Sequence, residues 1–328
     1  MSNNSISLAL SVVIPVYNEE AGLGVLFSRL YPALDALNES YEIVFIDDGS
    51  RDRSVALLRE QFDRRPDVTR VVLLALNAGQ HNAIMAGFTQ TRGEIVVTLD
   101  ADLQNPPEEI TKLVAKMREG FDYVGSYRRE RHDSRFRKLP SKILNRIRER
   151  TTHIHMRDQG CMLRAYGRGI IDAINRSREV NAYIPALAYT YARTPTEIEV
   201  AHESRAAGES KYSMFKLIRL NFDLMTGFSL APLQLFSFVG ILISLGAGAF
   251  VIFLAIRRLV VGPEAEGVFT LFGIVFLLLG ITLFGVGLLG EYVGRIYQQV
   301  QARPRFIIGA ILDASSAEVE PQREVNIR

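Results

Sequence analysis

The chain is expected to fold as an α/β domain with a mostly parallel sheet, followed by an amphipathic interfacial helix and a two-helix transmembrane hairpin. Three observations predict this. Short apolar runs alternate with helical patterns through residues 1–210. The first four of these runs each end in a polar tip, as expected where one end of a parallel sheet collects functional groups. Two long apolar runs without a charge, 233–256 and 268–289, come after the α/β pattern.

The first strand is expected within Leu8 to Val16, and Pro15 near its end suits an edge or terminal position. Asn18-Glu19-Glu20 then reads either as a helix start or as a ligand-facing loop. Tyr41 to Ile46 is the second strand, with Asp47-Asp48-Gly49-Ser50 as its tip and a helix over 51–62. Thr69 to Ala75 is the third, its tip running from Asn77 to Asn82 into a helix over 83–91. Glu94 to Thr98 leads a fourth strand to Asp100, before a helix over 107–119 that begins with proline and acidic residues.

Asp100 and Asp102 are the sharpest signal. Carboxylates one residue apart at a strand end project to one side, because side chains alternate with period two. With Gln104 beside them they could grip a divalent cation together with a diphosphate, or they could simply form a polar turn. A fifth strand is expected over 121–126.

Residues 127–150 are densely basic, and Arg137 and Ser141 share a face if that stretch is helical. Sparse aromatics argue against RNA there and favour a phosphate site or an anionic membrane surface. Asp158 to Tyr166 reads as a turn and a helix with Asp158 as a cap, 183–191 as an apolar helix, and 197–200 as a short strand. The polar loop 202–212 carries Arg205, Ser210 and Lys211 among small residues, which would let a phosphate approach closely.

Residues 211–230 have the mixed apolar and charged character of a helix lying in a membrane interface. The two charge-free runs are long enough to cross about 30 Å of hydrocarbon. The expected divisions are therefore 1–210 as the soluble domain, 211–230 as the interfacial helix, 231–295 as the hairpin and 296–328 as a tail. Basic flanks at Arg219, Arg295, Arg303 and Arg305 outweigh Arg257 and Arg258 and put the soluble domain and tail in the cytoplasm. Gly287, Gly290 and Gly294 form a small-residue face suited to helix contact, including contact between subunits of a homo-oligomer.

Composition removes several function classes. A formal charge of +2 over 328 residues is no electrostatic footprint for nucleic acid. The single Cys161 excludes an internal disulfide and a cysteine metal cluster, and the histidines lack zinc-ligand spacing. Neither a Gly-x-Gly-x-x-Gly run after the first strand nor a Gly-Lys-Ser/Thr loop occurs. The polar start of the chain does not read as a signal peptide.

Taken together, Val13-Ile14-Pro15-Val16-Tyr17-Asn18-Glu19-Glu20, Asp47-Asp48-Gly49-Ser50, Asp100-Ala101-Asp102-Leu103-Gln104 and Gly208-Glu209-Ser210-Lys211-Tyr212 resemble the family 2 inverting glycosyltransferases of the polyprenyl-phosphate sugar synthase type. The resemblance runs from about Ser11 to Arg305. Residues 77–88, 99–110, 160–166 and 266–269 resemble the subgroup that uses a UDP-4-deoxy-4-formamido-L-arabinose donor, although Ala78 stands where an aromatic is expected.

The resemblance implies a GT-A (Rossmann-like) fold, a nucleotide-sugar donor, undecaprenyl phosphate as acceptor, Mg²⁺ or Mn²⁺ as cofactor, and residence in the bacterial inner membrane. By it, Pro15, Tyr17, Glu19, Asp48 and Gln80 hold the donor, and Asp100, Asp102 and Gln104 face the cation and diphosphate. Arg128 lines the donor site, and Asp158 is an acid near the reacting centre and a candidate base. Arg137, Ser141, Arg205, Ser210 and Lys211 take the acceptor phosphate. Two other readings stay open at this point. One is a UDP-glucose transferase to the same lipid, and the other is an inactive membrane-anchored binding protein. A processive synthase is disfavoured because the chain has no Trp and so lacks a Gln-x-x-Arg-Trp element.

Overall fold

The computed structural model describes residues 8–128, 156–158, 160–177, 183–203, 231–261, 268–301 and 303–314. They fall into two compact units, one holding the described residues of 8–203 and 303–314, the other 231–261 and 268–301.

In the first unit the strands are β1 (Leu10–Val16), β2 (Tyr41–Asp47), β3 (Thr69–Leu74), β4 (Ile95–Thr98), β5 (Tyr123–Arg128), β6 (Arg164–Gly167), β7 (Pro195–Val200) and β8 (Ile308–Leu312). They form one eight-stranded sheet among the described residues, in the order β7-β5-β6-β4-β1-β2-β3-β8. The pairs β1–β2, β1–β4, β2–β3 and β5–β7 are parallel; β3–β8, β4–β6 and β5–β6 are antiparallel. The helices are α1 (Leu23–Asp35), α2 (Ser54–Arg64), α3 (Gln80–Gln90), α4 (Ile110–Arg118, entered through a 3₁₀ turn at Pro107–Glu109), α5 (Arg168–Arg176) and α6 (Ile184–Tyr191).

The central strands are buried on both faces, which is why they read as continuous apolar runs rather than as alternating ones. Leu10, Val12, Ile14 and Val16 of β1 join Ile43 and Phe45 of β2 in a core closed by Leu23, Leu26, Leu30 and Leu34 of α1 and by Leu113, Val114 and Met117 of α4. On the opposite face α3 approaches so closely that a Cβ at Gly87 would lie 2.5 Å from Val13 Cγ1 and 2.7 Å from Ile46 Cδ1. Replacing a helical glycine by alanine ordinarily stabilises by ~0.5–1 kcal/mol. Here overpacking against two central strands costs about 1–3 kcal/mol, so the clash sets the sign. Gly87→Ala is expected to lower the thermal midpoint of the purified protein, and an unchanged or raised midpoint would contradict this packing.

Of the two positions expected for Pro15, edge or terminal, the fold gives the terminal one: it lies next to the end of β1, between β2 and β4, paired with Ile46. Leu99 N–H donates to Val13 O, so Val13, and Pro15 two residues on, turn their peptide edges toward β4. The β1–β4 ladder ends at Val13 and Thr98, so Pro15 lacks its N–H where no partner strand remains. Two expectations are corrected by the fold. The turn and helix expected over 158–166 hold no helix: Arg164–Gly167 form β6, whose Tyr166 and Ala165 pair with β4 and β5, so Asp158 caps no helix there. The stretch from 296 onward is not simply a tail. Residues 308–312 add β8 to β3, and Asp313 accepts from the buried Arg70 (Nη2, 2.9 Å) and from Arg92 (Nη2, 2.6 Å). Arg70 also pairs with buried Glu42 at 3.4 Å, and Ser11 Oγ donates to Glu42 Oε1 at 2.7 Å.

The second unit holds two helices, α7 (Ala231–Val261) and α8 (Val268–Gln301). Phe236 packs on Phe284 with ring centroids 5.8 Å apart, and Glu291 pairs with Arg295 at 2.8 Å. Among the described side chains, one stretch, Ile274–Gln301, is long and apolar enough to cross a membrane. The expected interfacial helix at 211–230 and the acceptor residues Arg137, Ser141, Arg205, Ser210 and Lys211 lie outside the described residues.

Candidate active site

Parallel strands β1 to β4 carry their four polar tips to the same end of the sheet, and hydrogen bonds stitch each tip to the next. Between tips one and two, Arg51 N–H donates to Asn18 Oδ1 (2.8 Å), Ser50 Oγ accepts from Asn18 N–H (3.0 Å) and Ser54 Oγ accepts from Glu19 N–H (2.9 Å). Between tips two and three, both oxygens of Asp48 accept backbone N–H groups, from Ala78 at 2.6 Å and Gly79 at 2.9 Å. Burial pushes the Asp48 carboxyl above its ordinary range, and those two amides pull it back. Between tips three and four, Gln80 Nε2 donates to Asp100 Oδ1 at 2.7 Å.

Every tip turns through one left-handed residue: Asn18 (φ 53°), Gly49 (φ 73°), Gly79 (φ 88°) and Leu103 (φ 59°). Asn and Gly adopt that region readily, whereas a leucine there stores strain of about 1–3 kcal/mol. Leu103 lies between Asp102 and Gln104 and packs on the hydrophobic core, which holds it in place. The strained backbone thus falls inside the acidic tip.

The acids do not sit on the strand itself. β4 ends at Thr98, and Leu99 adds one last hydrogen bond to β1, so Asp100 and Asp102 occupy the turn beyond it. A turn, not the period-two alternation expected from the sequence, sets their direction. Asp102 Oδ1 accepts from Gln104 N–H at 3.1 Å, closing that turn.

Of the residues expected to hold a donor, Pro15 is buried in β1, Tyr17 is 45% exposed at tip one, and Glu19 is half-buried. Asp48 and Gln80 act within the rim, one holding tip three and the other orienting Asp100. Arg128 ends β5 and forks onto buried Asp158, Nε to Oδ2 at 2.6 Å and Nη2 to Oδ1 at 3.1 Å. Gly160 N–H adds a third bond to that carboxylate, and Arg164, fully buried, donates to the Asp158 carbonyl at 2.7 Å. With both oxygens on Arg128, Asp158 is placed to orient that guanidinium. Cys161 is buried against Ser126, and burial raises its thiol, consistent with a packing role.

Sequence reasoning did not pick out two residues beside these tips. His81, next to Gln80, stacks edge-on against Tyr183 at 5.4 Å, and its buried Nδ1 has no hydrogen-bond partner. Burial lowers its pKa, which favours neutral imidazole. Glu203 donates its N–H to the Gln104 carbonyl at 2.9 Å. No local pattern announces a contact between residues so far apart in the chain.

A divalent cation has a partial donor set here. Tip four offers two carboxylates and the Gln104 side chain, and no cluster of three or more His, Cys, Asp or Glu converges among the described residues. Mg²⁺, and with it the similar Mn²⁺, is commonly held by one or two carboxylates completed by substrate phosphates and water. The residues of tip four fit a cation that shares its coordination with a diphosphate.

The pattern described as glycosyl transferase family 2 matches residues 11–174. The undecaprenyl-phosphate 4-deoxy-4-formamido-L-arabinose transferase of Aeromonas hydrophila is 49% identical over 99% of this chain and 100% of its own length. The protein of the same name from Shewanella sediminis is 50% identical over 92% of each chain. Among solved structures, glucosyl-3-phosphoglycerate synthase from Mycobacterium tuberculosis, in complex with Mn²⁺, UDP and phosphoglyceric acid, aligns at 19% identity. That alignment covers 67% of this chain and 76% of the synthase, with a TM-score of 0.49. By the family match and the near-full-length identities, on a mostly parallel α/β sheet of the GT-A-like kind, the chain belongs to glycosyl transferase family 2 and is a glycosyltransferase.

Proposed function

We propose that the protein transfers 4-deoxy-4-formamido-L-arabinose from its UDP nucleotide to undecaprenyl phosphate, with inversion, at the cytoplasmic face of the bacterial inner membrane. The observation that carries this reading is the near-50% identity, over almost the whole chain, to relatives bearing that name. An oxygen of the lipid phosphate attacks the anomeric carbon, the bond from that carbon to the diphosphate oxygen breaks, and UDP leaves. The acceptor is already anionic at neutral pH, so no strong general base is needed.

In this reading Tyr17, Glu19 and tip two border the nucleotide, and Pro15 shapes the end of β1 beneath it. Asp48 and Gln80 keep tips three and four in register through the bonds given above. Asp100, Asp102 and Gln104 face the diphosphate. Mg²⁺ or Mn²⁺, when bound there, neutralises charge that develops on the leaving group. Arg128 adds a second positive charge beside it, aimed by Asp158. Arg137, Ser141, Arg205, Ser210 and Lys211 receive the lipid phosphate.

The proposed divisions are a catalytic domain over 1–210, an interfacial helix over 211–230 and a membrane hairpin made by α7 and α8. At ~1.5 Å per residue each helix exceeds the ~30 Å of a bilayer core. The residues after 296 return to the cytoplasm. Small residues along α8 would allow a homo-oligomer.

The test offers purified full-length protein undecaprenyl phosphate with Mg²⁺ or Mn²⁺ and either UDP-4-deoxy-4-formamido-L-arabinose or UDP-glucose. Mass spectrometry of the lipid is expected to find the formamido-pentose adduct. A glucose adduct alone would reassign the sugar, and nucleotide binding with no lipid product would leave a binding protein.

A further inference from the structure

One arginine outside the rim joins two parts of the site. Arg29, on α1, makes two forks at once. Nε and Nη2 donate to the two oxygens of Glu108, each at 3.0 Å, and Nη1 and Nη2 donate to the two oxygens of Glu203, each at 3.0 Å. Glu108 stands in the 3₁₀ turn that follows tip four. Glu203 lies just after β7 and donates its own N–H to the carbonyl of Gln104 in tip four. In sequence it immediately precedes the segment that carries Arg205, Ser210 and Lys211.

Stability does not account for this arrangement. The three side chains are 28%, 50% and 51% exposed, and ion pairs so open to water add little to folding. Geometry does account for it. A guanidinium that satisfies two carboxylates through fixed forks sets the distance and angle between the elements bearing them, which a lysine could not do.

We propose that Arg29 is a positioning residue that, through Glu108 and Glu203, holds the acidic tip in register with the point from which the acceptor-phosphate segment departs. The inference rests on the lipid-acceptor reading above and deepens it. Arg29 acts through Glu203 and Gln104 rather than on a substrate.

The test uses full-length protein, the UDP-sugar donor and undecaprenyl phosphate, with each substrate varied while the other is saturating. Wild type is measured first, and absence of any lipid product would overturn the parent reading and this inference together. With an active wild type, Arg29→Met is expected to raise the acceptor KM about tenfold, because a small misplacement from a change remote from the chemistry can cost up to about 10²-fold. The donor KM should stay within about twofold and the thermal midpoint should stay near that of wild type. Arg29→Lys should recover only part of the loss. Arg29→Met combined with Glu203→Gln should be no worse than Arg29→Met alone, because the fork is already open. Unchanged kinetics, an equal rise in both KM values, or additive losses would overturn the positioning role while leaving the parent reading intact.

Discussion

Asp102→Asn is expected to lower sugar transfer about 10²–10³-fold while leaving the fold intact. Asparagine keeps the size of the side chain and an oxygen that can accept the Gln104 N–H, so the turn closed by that 3.1 Å bond survives. What is lost is one of the two carboxylate charges that the proposed cation site draws from tip four. Charge neutralisation at a leaving diphosphate is worth several kcal/mol, and each ~1.4 kcal/mol is a factor of ten in rate. Asp100→Asn should behave similarly, with the added loss of a charged acceptor for Gln80 Nε2. Initial rates of lipid-product formation, with the thermal midpoint as a folding control, check both. A rate for Asp102→Asn within about twofold of wild type would remove the cation from tip four.

The second large effect concerns the Arg128–Asp158 pair. Arg128→Met takes the guanidinium away from a carboxylate of 5% exposure. Breaking a buried pair from one side costs about 3–5 kcal/mol, and the 23% exposure of Arg128 puts this case at the lower end. With Arg128 beside the diphosphate, as proposed, loss of its charge should also lower kcat about 10²-fold. Asp158→Asn separates two roles for the acid. If Asp158 orients Arg128, then Asp158→Asn lowers kcat in the same way as Arg128→Met, and the double variant is no worse than the less active single. If Asp158 were the base, Asp158→Asn alone would abolish the acid limb of the pH–rate profile, and Arg128→Met would keep it.

The rim is legible in the sequence because each tip directly follows a run of apolar residues, so its place at the end of a buried strand follows from local pattern alone. The acids of tip four and the second carboxylate of tip two are found in this way, whereas the helix start read at Asn18-Glu19-Glu20 is displaced: α1 begins at Leu23 behind Gly22, and Asn18 accepts from Arg51 N–H. Local pattern fails where the partner is distant. Arg29 meets Glu108 and Glu203 across 79 and 174 residues, and nothing near any of the three signals the contact. It also fails for β6, a four-residue strand whose arginine is fully buried and whose identity depends on pairing with β4 and β5. β8 is missed for a related reason: Ile308 to Leu312 is short and follows a long membrane-type run, and only pairing with β3 makes it a strand. The left-handed Leu103 has no sequence signal, because leucine is among the residues least expected there.

The most direct test of the central claim, that tip four holds a cation only together with a diphosphate, is a Mn²⁺ titration followed by electron paramagnetic resonance of the free ion. Wild-type protein alone is expected to leave the free-ion signal nearly unchanged, UDP is expected to bring about loss of that signal, and Asp102→Asn is expected to prevent the loss. Tight Mn²⁺ binding by wild type without UDP, or undiminished binding by Asp102→Asn with UDP, would contradict the account.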